Sequence, residues 1–456
     1  MGLKFYNTLN NKIEPFKEIK EGHVGLYMCG PTVYDSAHIG NFRSNTFQDI
    51  VKRYLIYSGY AVKHVMNITD IDDKIIQKAI KQKISIQEIT APHIDNFFKD
   101  MDLLNIEKAD AYPRATEHID EMKQMVSTLL EKKIAYKKGD SIYFNIDKFK
   151  KYGKLANIAK ENLKIGVSVD QDEYDKNNVQ DFVLWKGRKG EEHFWETEFG
   201  DGRPGWHLEC SAMSTKYLGP HFDIHLGGID LIFPHHENEI AQSECTTDSK
   251  YVNYWLHCQH LVVDNKKMSK SLNNFFTLKD LIDRGYDPLE IRYLLISTHY
   301  RKLLNFTFEG LQNARKSLKR INEFIFTLEG LSPDEGSSDE IQALIQAKEQ
   351  AFRENMDDDF NVAGALGVLF EFIHEINRRI NDLKEGDIEK IIGFLKRIDS
   401  VLGVIKIEES TEVSLDERVE ALIAERNEAR KDKDFTRADQ IRDELKQENI
   451  ILIDTP

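Results

Sequence analysis

Val24-Gly-Leu-Tyr-Met28 runs straight into Cys29-Gly-Pro-Thr-Val-Tyr-Asp-Ser-Ala37-His38-Ile39-Gly40-Asn41, and Ala61-Val-Lys-His-Val-Met66 follows shortly after. The first apolar run reads as a buried strand and the Gly/Pro segment as a turn. A helix is expected from about Asn41 to Tyr57, and past the Ser58-Gly59 break the second apolar run is another strand. This β-α-β start predicts a parallel sheet with a right-handed crossover. In such sheets ligands gather at the carboxyl ends of strands, and a helix start suits a nucleotide phosphate. Cys29 is thus a candidate soft metal ligand beside a phosphate site that starts at His38. The pair points to an enzyme acting on a metal-bound substrate and a nucleotide.

Outward from this unit, helices are expected over 71–82 and 115–133. Residues 135–200 have Gly-rich turns, alternating aromatics and many charges, and read as an insertion packed beside the sheet. The α/β pattern resumes with a helix Trp206–Tyr217, a strand Phe222–Leu226, a helix 235–244 and a strand Trp255–Val263 that ends in the turn Asp264-Asn265. From about 288 helical periodicity prevails, with helices at 309–329, 338–353, 360–383 and 388–402 and a loop at 329–339. After a charged link, 406–416, come two helices, 416–431 and 435–448, and a short strand, Ile450–Ile453. The expected fold is α/β: a Rossmann-like parallel-sheet core in two halves, 1–134 and 205–308, interrupted by the insertion 135–204. A helical bundle, 309–404, and a small C-terminal module, 405–456, complete it.

The bulk properties narrow the class. The 456 residues are 41% hydrophobic and 30% charged, enough for a large core in several domains. No apolar run approaches the ~20 residues that span a bilayer, and no secretory signal order stands at the start, so a cytoplasmic location is expected. Four cysteines, at 29, 210, 245 and 258, form no C-x-x-C pair. A net charge of −15 argues against indiscriminate nucleic-acid binding and leaves room for a local basic face.

Lys267-Met-Ser-Lys270-Ser271 follows the last predicted strand and turn of the core. Two lysines separated by small residues make a cationic loop that can neutralise charge on a departing pyrophosphate. Alone it would be an ordinary basic turn; in the same sheet as His38–Asn41 it reads as catalytic. Here the chain resembles the class I aminoacyl-tRNA synthetases. His38–Asn41 is similar to their HIGH signature, with Asn for the last His, and 267–271 matches their KMSKS signature. Cys29–Tyr34, Gly205–Met213 and Gly227–Glu239 resemble the cysteinyl-tRNA synthetase family over nearly the whole chain.

His235 and Glu239 are four apart on a helix that begins after Pro234, so they share a face. With Cys210 on another helix and Cys29 at a strand end they make a two-thiolate, imidazole, carboxylate set suited to zinc. The resemblance implies that these four are the ligands of one zinc per chain. Zinc would then select cysteine's thiolate over serine's hydroxyl, and no separate editing domain is expected.

The resemblance further implies His38, Lys267 and Lys270 as catalytic residues. His38 would stabilise the α-phosphate region and Lys270 the leaving pyrophosphate. Gly40, Asn41 and Gly228 join His38 and Lys270 around ATP, which comes with magnesium. Gly30, Thr32, Thr69, Trp206 and Asp230 would surround the aminoacyl substrate, with His225 nearby. The bland readings are a core role for Trp206, helix capping for Thr69 and Asp70, buried apolar roles for Cys245 and Cys258, and a supporting or surface role for His236. Arg315, Lys316, Lys319 and Arg320 are candidate tRNA phosphate contacts. The C-terminal module resembles the family's anticodon-side module in a shortened form ending at Asp454-Thr455-Pro456.

The expected activity is a monomeric cysteine–tRNA ligase using L-cysteine, ATP and the cysteine tRNA, with no membrane partner. Three rivals stand beside it: an ATP-driven cysteine ligase acting on an amino-sugar, an inactive zinc-stabilised RNA-binding protein, and a zinc hydrolase. Intact His38 and Lys270 weigh against the second, and the last lacks an evident general base.

Overall fold

The first strands, β1 (Lys4–Asn7) and β2 (Lys12–Pro15), form an antiparallel hairpin ahead of β3 (His23–Met28). The computed structural model describes residues 2–158, 163–169, 179–190, 192–405, 417–431 and 434–447. From β3 the chain passes through α1 (Ile39–Tyr57) into β4 (Ala61–Met66), which pairs parallel to β3 with Met28 opposite Met66. Helices α2 (Asp73–Gln82), α3 (Ile86–Leu103) and α4 (Ile119–Glu131) follow. The expected helix at 115–133 is in fact a 3-10 turn, Ala115–Glu117, followed by α4. Periodicity alone passed over α3, which contains Pro92.

Strands β5 (Ala135–Lys138), β6 (Ser141–Phe144), β7 (Leu163–Val169), β8 (Val179–Gly187) and β9 (Gly202–Pro204) make a separate sheet in the order β5-β6-β8-β7, with β9 on β8. Its Phe144 and Phe182 stack at 4.9 Å and share one apolar core with Phe222 and Trp255. Then come α5 (Trp206–Leu218), β10 (Phe222–Gly228), α6 (His235–Thr247) and β11 (Val252–Cys258). The Glu237 carboxylate on α6 accepts the N–H groups of Gly153 and Ala156 at 2.8 and 2.9 Å, tying the segment after β6 to the core.

The central sheet has the order β11-β10-β3-β4 and is parallel throughout. One half leaves β3 through α1 for β4, and the other leaves β10 through α6 for β11. Strand order therefore reverses between β3 and β10, and Cys29 and Gly228 follow or close those two strands. That reversal point is where open α/β sheets form their ligand crevice.

The single strand expected at Trp255–Val263 is two. Gln259 N–H donates to the Tyr300 carbonyl at 2.8 Å, and the chain turns there into β12 (Leu261–Val263). With β13 (Lys266–Lys267) and, beyond α7 (Leu278–Ile282) and α8 (Pro288–Ser297), β14 (Leu304–Phe306), it makes a small sheet of its own. Four helices follow: α9 (Phe308–Glu329), α10 (Asp339–Asp357), α11 (Val362–Asn377) and α12 (Glu385–Leu402). They bury Leu318, Ile325, Phe352, Leu369, Phe372 and Phe394. The helix expected over 360–383 ends at Asn377 and gives way to a 3-10 turn, Ile380–Asp382.

Residues 406–456 are a second compact unit. In it α13 (Glu417–Lys431) and α14 (Phe435–Gln447) bury Val419, Ile441 and Leu445 together, and Arg437 pairs with Glu425 at 2.8 Å. The link 406–416 and the strand expected at Ile450–Ile453 lie outside the described residues. Among the described residues no helix is long and apolar enough to cross a membrane.

Candidate active site and metal centre

His38 is the N-cap of α1. Its Nδ1 accepts the Asn41 N–H at 3.2 Å, and the Asn41 side-chain oxygen accepts the His38 N–H at 3.0 Å. Such a reciprocal cap fixes the start of the helix, where the Asn41 N–H also donates to the His38 carbonyl at 2.9 Å. It gives Asn41, where the signature has histidine, a definite job. Because Nδ1 accepts, the neutral imidazole carries its proton on Nε2.

Ile39 N–H donates to Phe276 O at 3.0 Å, His38 bridges to Thr277, and the His38 and Phe275 rings meet edge to face at 5.1 Å. The segment just past 267–271 is thus laid against the start of α1. A Cβ added to Gly40 would stand 3.1 Å from the Met268 methyl and 2.9 Å from the His38 ring. Glycine is what lets this loop lie so close. The loop closes on itself through Asn274, whose amide donates to Lys267 O at 3.1 Å and accepts from Ser269 N at 2.8 Å. Lys267 is exposed on β13. Lys270 opens the turn Lys270–Leu272, and its side chain lies outside the described residues.

Cys29, Cys210, His235 and Glu239 offer one donor atom each within 4.8 Å of one another. Cys29 follows β3, Cys210 lies in α5, and His235 and Glu239 share the first turns of α6. The two sulfurs are 3.9 Å apart, Cys29 Sγ is 3.7 Å from Glu239 Oε1, and His235 Nε2 is 3.0 Å from that oxygen. A tetrahedral zinc with Zn–S of about 2.3 Å and Zn–O of about 2.1 Å needs an S···S edge of about 3.8 Å and an S···O edge of about 3.6 Å. The donor set fits.

Contact between the two thiols shifts them in opposite directions. Cys29's hydrogen bond draws the Cys210 thiol down to about 6 despite burial, while burial and Cys210 push Cys29 well up. A bound cation would favour the deprotonated form of both thiols. Burial disfavours charge on both His235 and Glu239, yet Cys210 and Glu239 raise His235 to about 10, and His225 and His235 lower Glu239 to about 2.

A second set, Cys29, His225, His236 and Glu239, shares two donors with the first. It fits less well, because it leaves Cys210 out and sets His236 Nε2 3.9 Å from Glu239 Oε1. His236 is fully buried, so it is no surface residue. Its Nε2 is 3.3 Å from Cys29 Sγ and its Nδ1 2.8 Å from His257 Nε2, while His257 Nδ1 is 2.7 Å from Thr8 Oγ1. Burial holds His257 down at about 3, keeping it neutral.

The other expected residues follow or close β3, β4 and β10 or open α5. Gly30 N–H donates to Asn67 Oδ1 at 2.9 Å, and any side chain at Gly30 would collide with the Asn67 carbonyl. Thr32 and Thr69 bridge in parallel, and Asn67 Nδ2 donates to Thr69 Oγ1 at 3.1 Å. Neither Thr69 nor Asp70 caps α2. Asp72 does so, and Asp70 instead accepts from Thr116 N and Oγ1 at 2.9 and 2.6 Å. Trp206 is half-buried at the start of α5, its ring 4.2 Å from that of His235. Gly228 ends β10, and Asp230 is exposed in the turn Ile229–Ile232. Cys258 is buried and Cys245 half-buried.

Away from the crevice, Arg315 is held by Glu290 at 2.7 Å, which removes it from the free basic face; Lys316, Lys319 and Arg320 are exposed. Asn67, Thr8, Tyr251 and His257 were missed in the sequence. Each is a lone polar residue on or beside an apolar run, with no spacing to mark it.

Among solved structures, methionyl-tRNA synthetase of Mycobacterium tuberculosis bound by methionyl-adenylate superposes with a TM-score of 0.61. It covers 84% of this chain and 88% of that one at 12% identity. A LeuRS of Agrobacterium radiobacter in a ternary complex gives 0.62 over 86% and 84% at 11% identity. The fold is that of the class I aminoacyl-tRNA synthetases, and the family model described as tRNA synthetases class I (C) catalytic domain matches residues 15–316. A DALR domain matches 351–406 and a cysteinyl-tRNA ligase anticodon binding domain 412–452.

The cysteine–tRNA ligase of Protochlamydia amoebophila is 46% identical over 100% of this chain and 96% of its own length. Those of Chlamydia caviae and Brachyspira hyodysenteriae are 48% and 44% identical, over 97% and 99% of this chain and 94% and 97% of theirs. The chain belongs to the cysteine–tRNA ligase family.

Proposed function

We propose that this chain joins L-cysteine to the cysteine tRNA in two steps within the crevice between β3 and β10. The cysteine carboxylate attacks the α-phosphorus of ATP, which reaches the site with magnesium, giving cysteinyl-adenylate and pyrophosphate. The 3′-terminal ribose of the tRNA then takes the cysteinyl group and releases AMP. No covalent enzyme intermediate is needed, so the work is positioning and charge stabilisation.

His38 donates its Nε2–H to an α-phosphate oxygen as charge builds there. Lys267 and Lys270 neutralise the leaving pyrophosphate, and Gly40 and Gly228 let the nucleotide approach the backbone. Asp230 meets the substrate's ammonium group, and Gly30, Thr32, Thr69 and Trp206 enclose the rest of it. Zinc held by Cys29, Cys210, His235 and Glu239 would supply a soft Lewis acid that prefers a thiolate to a hydroxyl.

The observation that carries this reading is the four-donor cluster, with Cys210, His235 and Glu239 buried and Cys29 half-buried, at the end of the strand that leads into the His38 cap. The match of residues 412–452 to an anticodon binding domain favours tRNA over an amino-sugar as acceptor. We read the chain as a monomer and place it in the cytoplasm. Residues 309–404 and 405–456 serve as the tRNA-binding part.

The test is metal analysis and cysteine-dependent ATP–pyrophosphate exchange on the wild type and on Cys29→Ser. The wild type should hold about one zinc and exchange, and the variant should lose zinc and at least about a hundredfold in exchange. A zinc-replete wild type without exchange refutes the activity. An unchanged variant refutes the metal's part in it.

A further inference from the structure

Glu239 has both carboxylate oxygens engaged, on opposite sides. Oε1 faces the donor cluster, 3.0 Å from His235 Nε2 and 3.7 Å from Cys29 Sγ. Oε2 is turned away and accepts from His225 Nε2–H at 3.0 Å and from the Tyr251 hydroxyl at 3.1 Å. Behind Tyr251, at 2.5 Å from its oxygen, stands the Ser214 hydroxyl, one helical turn beyond Cys210 on α5. Glu239, His225, Tyr251 and Ser214 are all fully buried.

The proton count fixes the direction of this chain. Tyr251 has one proton, and a hydrogen bond to a carboxylate is stronger than one to a neutral hydroxyl. Tyr251 therefore donates to Glu239, and Ser214 donates to Tyr251 in preference to the Ser211 carbonyl 3.2 Å away. A carboxylate whose second oxygen is unoccupied can rotate and grip a cation with both oxygens. With two donors seated on Oε2, Glu239 can do so only by breaking two buried hydrogen bonds to its carboxylate, which is costly.

We propose that Tyr251, backed by Ser214, is a positioning residue that holds Glu239 to one-oxygen coordination. A coordination position at the metal is thereby kept for the sulfur of the substrate. The inference rests on the metal reading above and goes beyond it by naming what sets the geometry of the carboxylate ligand. Groups outside the ligand sphere commonly tune metal affinity in this way.

Tyr251→Phe removes only the hydroxyl and keeps the ring against Phe222, 5.2 Å away. Apoprotein of the wild type and the variant is titrated with Co2+ against a competing chelator, and the visible spectrum of the loaded protein is recorded. Tyr251→Phe is expected to bind Co2+ about 10–100-fold more weakly. Its d–d bands should be weaker, as an extra oxygen ligand makes them, and KM for cysteine should rise while KM for ATP holds. A purely structural role would lower the melting temperature of the apoprotein and leave the bands of the loaded protein unchanged. That result, or unchanged affinity and bands, overturns the inference. A wild type that takes up no Co2+ overturns the metal reading instead. Ser214→Ala should give a smaller change in the same direction, and decides the matter should Tyr251→Phe not fold.

Discussion

Single side chains in this protein act through the proton they carry. His38 accepts at Nδ1 from Asn41 N–H, so the cap that starts α1 also sets which nitrogen can donate to a phosphate. The cluster residues were legible through the family motifs that carry them, since the four-residue spacing of His235 and Glu239 is by itself a weak signal. His64 was not, since it sits in an apolar strand and gives no spacing signal. It is buried beside Met28, its Nε2 2.8 Å from the Met28 sulfur. Burial, with Lys52 adding to it, takes its pKa from 6.5 down to about 3, against the pull of Asp110 and Asp49. A base with a lowered folded pKa stays neutral in the fold while the unfolded chain takes up a proton. The stability it allows is complete above pH 6.5 and is lost as pH falls toward 3. At pH 5 the loss is about 2 kcal/mol. His64→Leu should remove this slope. Urea midpoints at pH 7.5 and 5 should converge for the variant relative to the wild type, and equal pH dependence of the two would refute the assignment.

Helix α1 shows why some elements were legible and others were not. It buries charged residues along with apolar ones: Arg43 donates to the carbonyls of Leu295, Thr298 and His299, and Asp49 accepts from Arg53 at 2.8 Å and Arg292 at 2.6 Å. Arg292 also donates to Leu402 O at 2.8 Å, so this cluster joins α1, α8 and the end of α12. Removing one partner of a buried ion pair leaves a charge without compensation. Asp49→Ala is therefore expected to cost about 3–5 kcal/mol, read from a chemical denaturation curve, whereas a cost below about 1 kcal/mol would show the cluster to be incidental. The end of α1 at Tyr57 and the starts of α5 at Trp206 and α6 at His235 were readable because local signals set them, whereas α6 runs on to Thr247, three residues past its expected end. The break after β11 was not, because it depends on Tyr300, distant in sequence, accepting from Gln259. Helix α3 was hidden by Pro92, and its cap at Ser85 and Glu88 with buried Ile89, Ile94, Phe97 and Met101 outweighs the proline. The insertion's strands pair out of sequence order, β6 with β8 rather than with β7, and no local period encodes that.

At the scale of the molecule, the residues proposed for activation and the match to an anticodon binding domain fall on different parts of the chain. Every residue assigned to activation lies between Cys29 and Lys270, inside the unit that ends at Ile405. The match to an anticodon binding domain, 412–452, lies in the unit beyond it. The first unit contains the sheet, the insertion and the four helices α9–α12, with α12 locked to α1 through Arg292, so it has the core to fold without the second. A chain ending at Ile405 should then keep its cysteine-dependent ATP–pyrophosphate exchange within about twofold, as distant independent parts do. Its charging of the cysteine tRNA at limiting tRNA should fall by at least about tenfold, the equivalent of one or more lost nucleic-acid contacts. Added tRNA at saturating concentration should restore much of that rate, because the loss is in binding. If exchange disappears together with charging while the truncated chain melts cooperatively, the second unit takes part in activation, and the separation argued from residue placement is wrong.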